Sequence, residues 1–138
     1  MQELALSDLS RIVSGVVLIT IVTIEFGGFF LLRVASGGGS FTPFQKSFFR
    51  AGHAHAGVLV TLSLVTLLLA DAASLDGPLG WLARLAVPGS AILIPAGFFF
   101  SAMGGEATRP NRFVLLIWAG AALLALGVLT LGTGLLIS

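Results

Sequence analysis

The chain has no cysteine, which removes disulfides, zinc–thiolate centres and thiol nucleophiles together. Charge is nearly as scarce. Only 9% of the 138 residues are Asp, Glu, Lys or Arg, against about a quarter in soluble domains. The charges almost cancel, at +1, so no nucleic-acid partner is indicated. The opening MQELALSDLSR is acidic rather than basic. The apolar run behind it is too long for a signal peptide, so no cleaved leader is expected. What fills the chain is apolar: 57% of its residues are hydrophobic. That balance predicts an integral membrane protein of one domain spanning residues 1–138.

A spanning helix needs about 20 mostly apolar residues. Four such runs are present, at Leu9 to Leu32, Arg50 to Ala70, Leu82 to Met103 and Phe113 to Ile137. The predicted fold class is therefore all-α, a bundle of four transmembrane helices. The connections SGGGSFTPFQKS, DAASLDGPLG and GGEATRPNR carry glycine, proline or both, as breakers. Thr42 before Pro43 reads as an N-cap and first-turn pair. The second helix can thus begin near Pro43, with Phe44, Phe48 and Phe49 at the interface. Pro88 and Pro95 lie inside the third run and are candidates to kink it. Gly120, Gly127, Gly132 and Gly134 in the fourth suit close helix packing.

Loop charge bears on topology. Arg33, Lys46, Arg50, Arg109 and Arg112 belong to the first and third connections. The other side holds Arg11 and Arg84 with Glu3, Asp8, Asp71 and Asp76. The positive-inside rule puts the first and third connections in the cytoplasm and both termini outside.

The costly polar residues gather in one half of the membrane. Glu25, in IVTIEFGGFF, lies about 12 Å of helix from Arg33, and a carboxylate at that depth is a functional candidate. His53 and His55, the only histidines, stand in RAGHAHAGVLV near the start of the second helix. Antiparallel neighbours bring Glu25 and the histidines to similar depths. Glu106 is expected to end the third helix on that side, beside Arg109, Asn111 and Arg112. Asp71 and Asp76, at the other end, read as ordinary solvated residues. Glu25 could simply pair with a histidine or with Arg50 in a helix-packing network. The small residues around the imidazoles instead suggest room for a ligand, metal or cofactor. On a helix, residues two apart point about 200° away from each other. His53 and His55 then face two sites, which an oligomer would supply more readily than one small chain.

The segment GHAHAG, followed by an apolar run, resembles the Gly-His-x-His-x-Gly segment in the catalytic subunit of haem–copper oxidases and nitric oxide reductases. There the histidine pair ligates two haems on opposite sides of the second helix of a four-helix arc, and three arcs form the subunit. The resemblance implies a homotrimer in which His53 of one copy and His55 of the next hold a haem, or another His-ligated transition metal. Arg50, Arg109, Arg112 and Lys46 would then meet the haem propionates. Met103 is a candidate soft ligand, against a packing role. It implies an oxidoreductase of the bacterial cytoplasmic membrane acting on a quinol or a gas, with Glu25 as proton relay. The oxidase likeness also places the first connection outside, against the positive-inside rule. This chain departs from those subunits in having no further histidine for a copper site.

Two further likenesses keep other functions open. Small four-helix hydroxylaminobenzene mutases carry an Ala-His-x-x-Gly pattern early in helix two, loosely similar to Ala54, His55 and Gly57. That implies a cofactor-free enzyme with Glu25 and a histidine as acid–base pair on a small lipophilic substrate. Small multidrug exporters, with one carboxylate in helix one, resemble the TIEF segment and imply proton-coupled transport through Glu25.

Overall fold

The computed structural model describes residues 5–137, and Glu3 lies outside them. The described residues form four long helices and one short 3-10 turn, with no strand. The helices are α1 (Asp8–Ala35), α2 (Pro43–Ala72), α3 (Gly77–Ser101) and α4 (Leu115–Ile137), the last entered through a 3-10 turn at Arg112–Val114. All four are long and apolar enough to cross a membrane, which fits an integral membrane protein.

Two helices, α1 and α2, outrun the apolar segments expected of them at both ends, and their starts are fixed by capping side chains rather than by hydropathy. The Ser7 hydroxyl accepts from the Ser10 N–H and starts α1 just ahead of its apolar run. Thr42 and Gln45 form a full capping box, so α2 begins at Pro43, seven residues before the apolar stretch. The α3 helix starts earlier and stops earlier than expected, at Gly77 and Ser101. Glu106 therefore does not end a helix. It is exposed in the α3–α4 connection with φ +47°. Pro88 and Pro95 both lie within the α3 helix, which runs on through them.

The helices follow one another in space as in sequence. α2 packs on α1 and α3, α3 packs on α4, and among the described residues α1 and α4 do not meet. The bundle is thus an open arc. Glycines set the closest crossings. A Cβ at Gly97 would lie 2.6 Å from Ile117 Cγ1, one at Gly120 2.6 Å from Ile94 Cγ1, and one at Gly127 2.5 Å from the Ala86 Cβ. The packing role expected of Gly120, Gly127 and Gly134 is met against Ile94, Ala86 and Leu75, while Gly132 has nothing within 4 Å.

The α1 helix is the outermost. Only 6% of its apolar window is buried, against 44% for α3. It is held at its two ends. At one end, Phe30 of α1 makes edge contacts with Phe41 and Phe49 at 5.9 and 5.3 Å, and Phe49 stacks on Phe99 of α3. At the other end stands Asp71. It is not a solvated loop residue: it lies on the last turn of α2 in a buried ion pair with Arg84, at 2.7 Å. The Ser7 N–H and hydroxyl and the Ser10 hydroxyl also donate to its carboxylate, at 2.9, 3.0 and 3.0 Å. Arg84 spends its remaining donors on the carbonyls of Leu75, Gly80 and Ala70. A buried charge pair tolerates its site only when its other valences are met, and here they are. Asp76 is exposed, as expected.

Candidate functional site

The His53 imidazole lies half-buried between α2 and α1. It rests against Gly27 and Gly28: a Cβ on Gly27 would be 3.3 Å from His53 Nδ1, and one on Gly28 3.5 Å from Cε1. Two adjacent glycines remove side chains where the ring needs a wall. Neither was singled out from the sequence, although the Gly-Gly pair two residues after Glu25 was a signal that could have found them. Among the described residues neither nitrogen of His53 has a hydrogen-bond partner.

Two hollows meet at this ring, and a third adjoins the first. A partly open cavity of about 340 Å³ lies between α1, α2 and α3, bounded by Thr20, Ile24 and Gly27, by His53 and Val60, and by Ala91 and Pro95. A groove of about 710 Å³ opens outward between Ile24 and the α2 residues His53, Ala54, Gly57, Val58 and Thr61. A third hollow of about 560 Å³ joins the first at Gly27 and Phe99 and takes in Gln45 and Met103. The walls of the first cavity are apolar apart from His53 and two threonines. Thr20 and Thr23 donate to the carbonyls of Val17 and Thr20. Pro95, which has no N–H to give the Ala91 carbonyl four residues back, lines the same cavity.

His55 occupies the opposite flank of α2, as the 200° offset requires. It is exposed, and its ring stacks on Phe98 of α3 at 5.0 Å. Nδ1 lies 2.7 Å from the Ala51 carbonyl. A carbonyl only accepts, so Nδ1 is the donor in this contact, and Nε2 has no partner among the described residues. The glycines flanking the histidines divide the same way. Gly52 does not make room for a ligand: it admits Phe98 and Phe99, whose atoms would lie 3.0 Å from a Cβ there. Gly57 faces open space.

The structure does not bring Glu25 into this site. Its side chain is exposed on α1, lines none of the three hollows, and has no hydrogen bond or ion pair among the described residues. The expected pairing with a histidine or Arg50 is therefore absent within one chain. Arg50, Arg109 and Arg112 are exposed at the histidine end, and the described ion pairs are Arg11–Asp8 and Arg84–Asp71 alone. Arg112 lies over the Phe113 ring at 5.7 Å. Met103 is 61% exposed beyond the end of α3 and borders the third hollow. No group of three His, Cys, Asp or Glu that could hold a metal occurs among the described residues.

No protein-family model matches this chain, and no curated protein or solved structure matches it either.

Proposed function

We infer that the chain binds a small lipophilic molecule within the membrane, with His53 as the group that acts on it. The observation that carries this reading is the half-buried His53 ring, unpartnered at both nitrogens, where a partly open cavity, an outer groove and a glycine wall meet. A cavity of this size and apolarity suits a small ligand oriented by few polar groups. The ligand class is an apolar body with hydrogen-bonding oxygen, such as a phenol or a quinone. His53 would take a proton from a hydroxyl or donate one to a carbonyl. This is the cofactor-free acid–base reading, with His53 in place of a Glu25–histidine pair.

The test is histidine-ring NMR of the protein in nanodiscs, titrated with 1-naphthol and 1,4-naphthoquinone. The His53 signal is expected to shift saturably while that of His55 stays. No saturable shift with either probe would end the reading.

A second reading keeps a haem. The Nδ1–Ala51 hydrogen bond favours it, since it fixes the ring and bares Nε2 as metal ligands require. One chain offers one such imidazole to each flank, so the donor set fits a haem only between copies, with His55 of one copy and a histidine of the next. Arg50, Arg109 and Arg112 would hold the propionates. Bound haem would supply electron-transfer chemistry. A Soret band in purified protein, lost in His55→Ala, would support this reading; colourless protein loaded with haem in vitro to no effect would remove it.

A further inference from the structure

Glu25 and His55 share three properties. Each is exposed, each stands on a membrane-spanning helix, and each has a polar atom with no partner among the described residues. They also share a depth. Gly27 and Gly28 touch His53, which fixes the level of α1 against α2. From there Glu25 lies two to three residues deeper along α1, and His55 lies two residues deeper along the antiparallel α2. At 1.5 Å per residue, both displacements are about 3 to 4 Å.

Their positions around the helices are equally definite. Advancing 100° per residue on α2, Ala54, Gly57, Val58 and Thr61 fall on one strip, and all four are exposed. His53 and His55 lie about 100° to either side of that strip. The His53 side adjoins α1. On α1, Glu25 follows Gly28 in the sense leading away from the inner cavity, so it lies on the outward side of that helix, beyond the groove, which it does not line. One outward face therefore presents Glu25 on its left edge, a central strip of small side chains, and His55 on its right edge.

We propose that a second copy of this chain covers that face through a two-fold axis normal to the membrane, pairing Glu25 of each copy with His55 of the other. A two-fold rotation sets the left edge of one copy against the right edge of its partner. Because the depths match, both pairs form at once, flanking an α2–α2 contact across Ala54, Gly57, Val58 and Thr61. Small residues let such helices approach closely. Each pair joins a carboxyl to the Nε2 that the Ala51 hydrogen bond leaves free, so one proton serves both groups. The pairing gives a partner to a carboxyl that is otherwise costly in hydrocarbon. The second copy also roofs the groove beside His53, which turns an open hollow into a chamber shared by two chains. This contact is two-fold, unlike the ring of three that the oxidase likeness implies, and it does not depend on a ligand at His53.

The absence of native cysteine makes the test clean. Val58→Cys is expected to give a disulfide-linked dimer on mild oxidation in native membranes, while Trp118→Cys, 70% exposed on α4, is expected to stay monomeric. In detergent dilution, Glu25→Gln and His55→Ala should each weaken the dimer by about tenfold, since loss of interhelical polar pairs is worth about that factor. The exchange of both, Glu25→His with His55→Glu, should restore it. Cross-linking at Trp118 but not Val58, a trimer as the end product, or a Soret band lost in His55→Ala would each overturn the proposal. Dimer affinity unchanged in both single variants would do the same.

Discussion

Asp71 Oδ1 and Arg84 Nη2 stand 2.7 Å apart with both side chains more than nine-tenths covered. That contact joins the end of α2 to the first turns of α3 and, through Ser7 and Ser10, to the start of α1. Removing one partner leaves the other charge buried alone, which costs about 3 to 5 kcal/mol. Asp71→Asn is expected to lower thermal stability in detergent by that order. The double change Asp71→Leu with Arg84→Met should cost less than Asp71→Asn, because no charge is then stranded. Melting curves of the three proteins check the ordering.

The wall behind His53 offers a finer probe. A Cβ at Gly28 meets the ring at 3.5 Å, ordinary contact, while Gly27 allows only 3.3 Å to Nδ1. Gly28→Ala should leave the ring and its NMR signal in place. Gly27→Val should displace the ring and intrude on the cavity, abolishing the naphthol-dependent shift while the protein still folds.

Helix glycines should divide by their neighbours. At Gly97 a Cβ would lie 2.8 Å from the Ile117 backbone nitrogen, which has little freedom to retreat. Gly97→Ala is expected to destabilise by about 1 to 3 kcal/mol through overpacking. At Gly132 nothing lies within 4 Å, and Gly132→Ala should be neutral or gain up to about 1 kcal/mol from helix propensity. Denaturant titration of both variants reads the contrast directly.

Membrane orientation follows from which cations remain free. Arg84 is neutralised by Asp71 and Arg11 pairs with Asp8, so the end bearing both termini carries little net positive charge. Arg33, Lys46, Arg50, Arg109 and Arg112 have no ion pair among the described residues. The positive-inside rule then places the histidine end in the cytoplasm. Ser40→Cys should resist a membrane-impermeant thiol reagent in intact cells, and Ser74→Cys should react. The reverse labelling would favour the orientation implied by the oxidase likeness.

Much of this was legible from the chain itself. Four apolar runs marked the four helices, and the one-residue spacing of His53 and His55 required opposite faces. Antiparallel order put Glu25 near their depth. What escaped were relationships between distant residues. Asp71 sits in a polar stretch that reads as solvated, and only the fold brings Ser7, Arg84 and the α2 terminus around it. Gly27 and Gly28 stand inside an unbroken apolar run that gives them no role, and only the fold sets the imidazole beside them. Glu25 reads as a partner for a histidine of its own chain, but the angle around α1 turns it outward. Composition records how deep a residue sits more readily than which way it faces.

The latch at Asp71 also constrains the order in which the molecule can be completed. Ser7 and Ser10 leave the ribosome before the carboxylate that they bind, which follows more than sixty residues later. Arg84 comes thirteen residues after Asp71. Until α3 has entered the bilayer, Ser7 and Ser10 can bind only a carboxylate that has no cation. The latch on the segment synthesised first is therefore completed only by the third helix, and an interruption of synthesis between α2 and α3 would leave an unpaired acid at its centre.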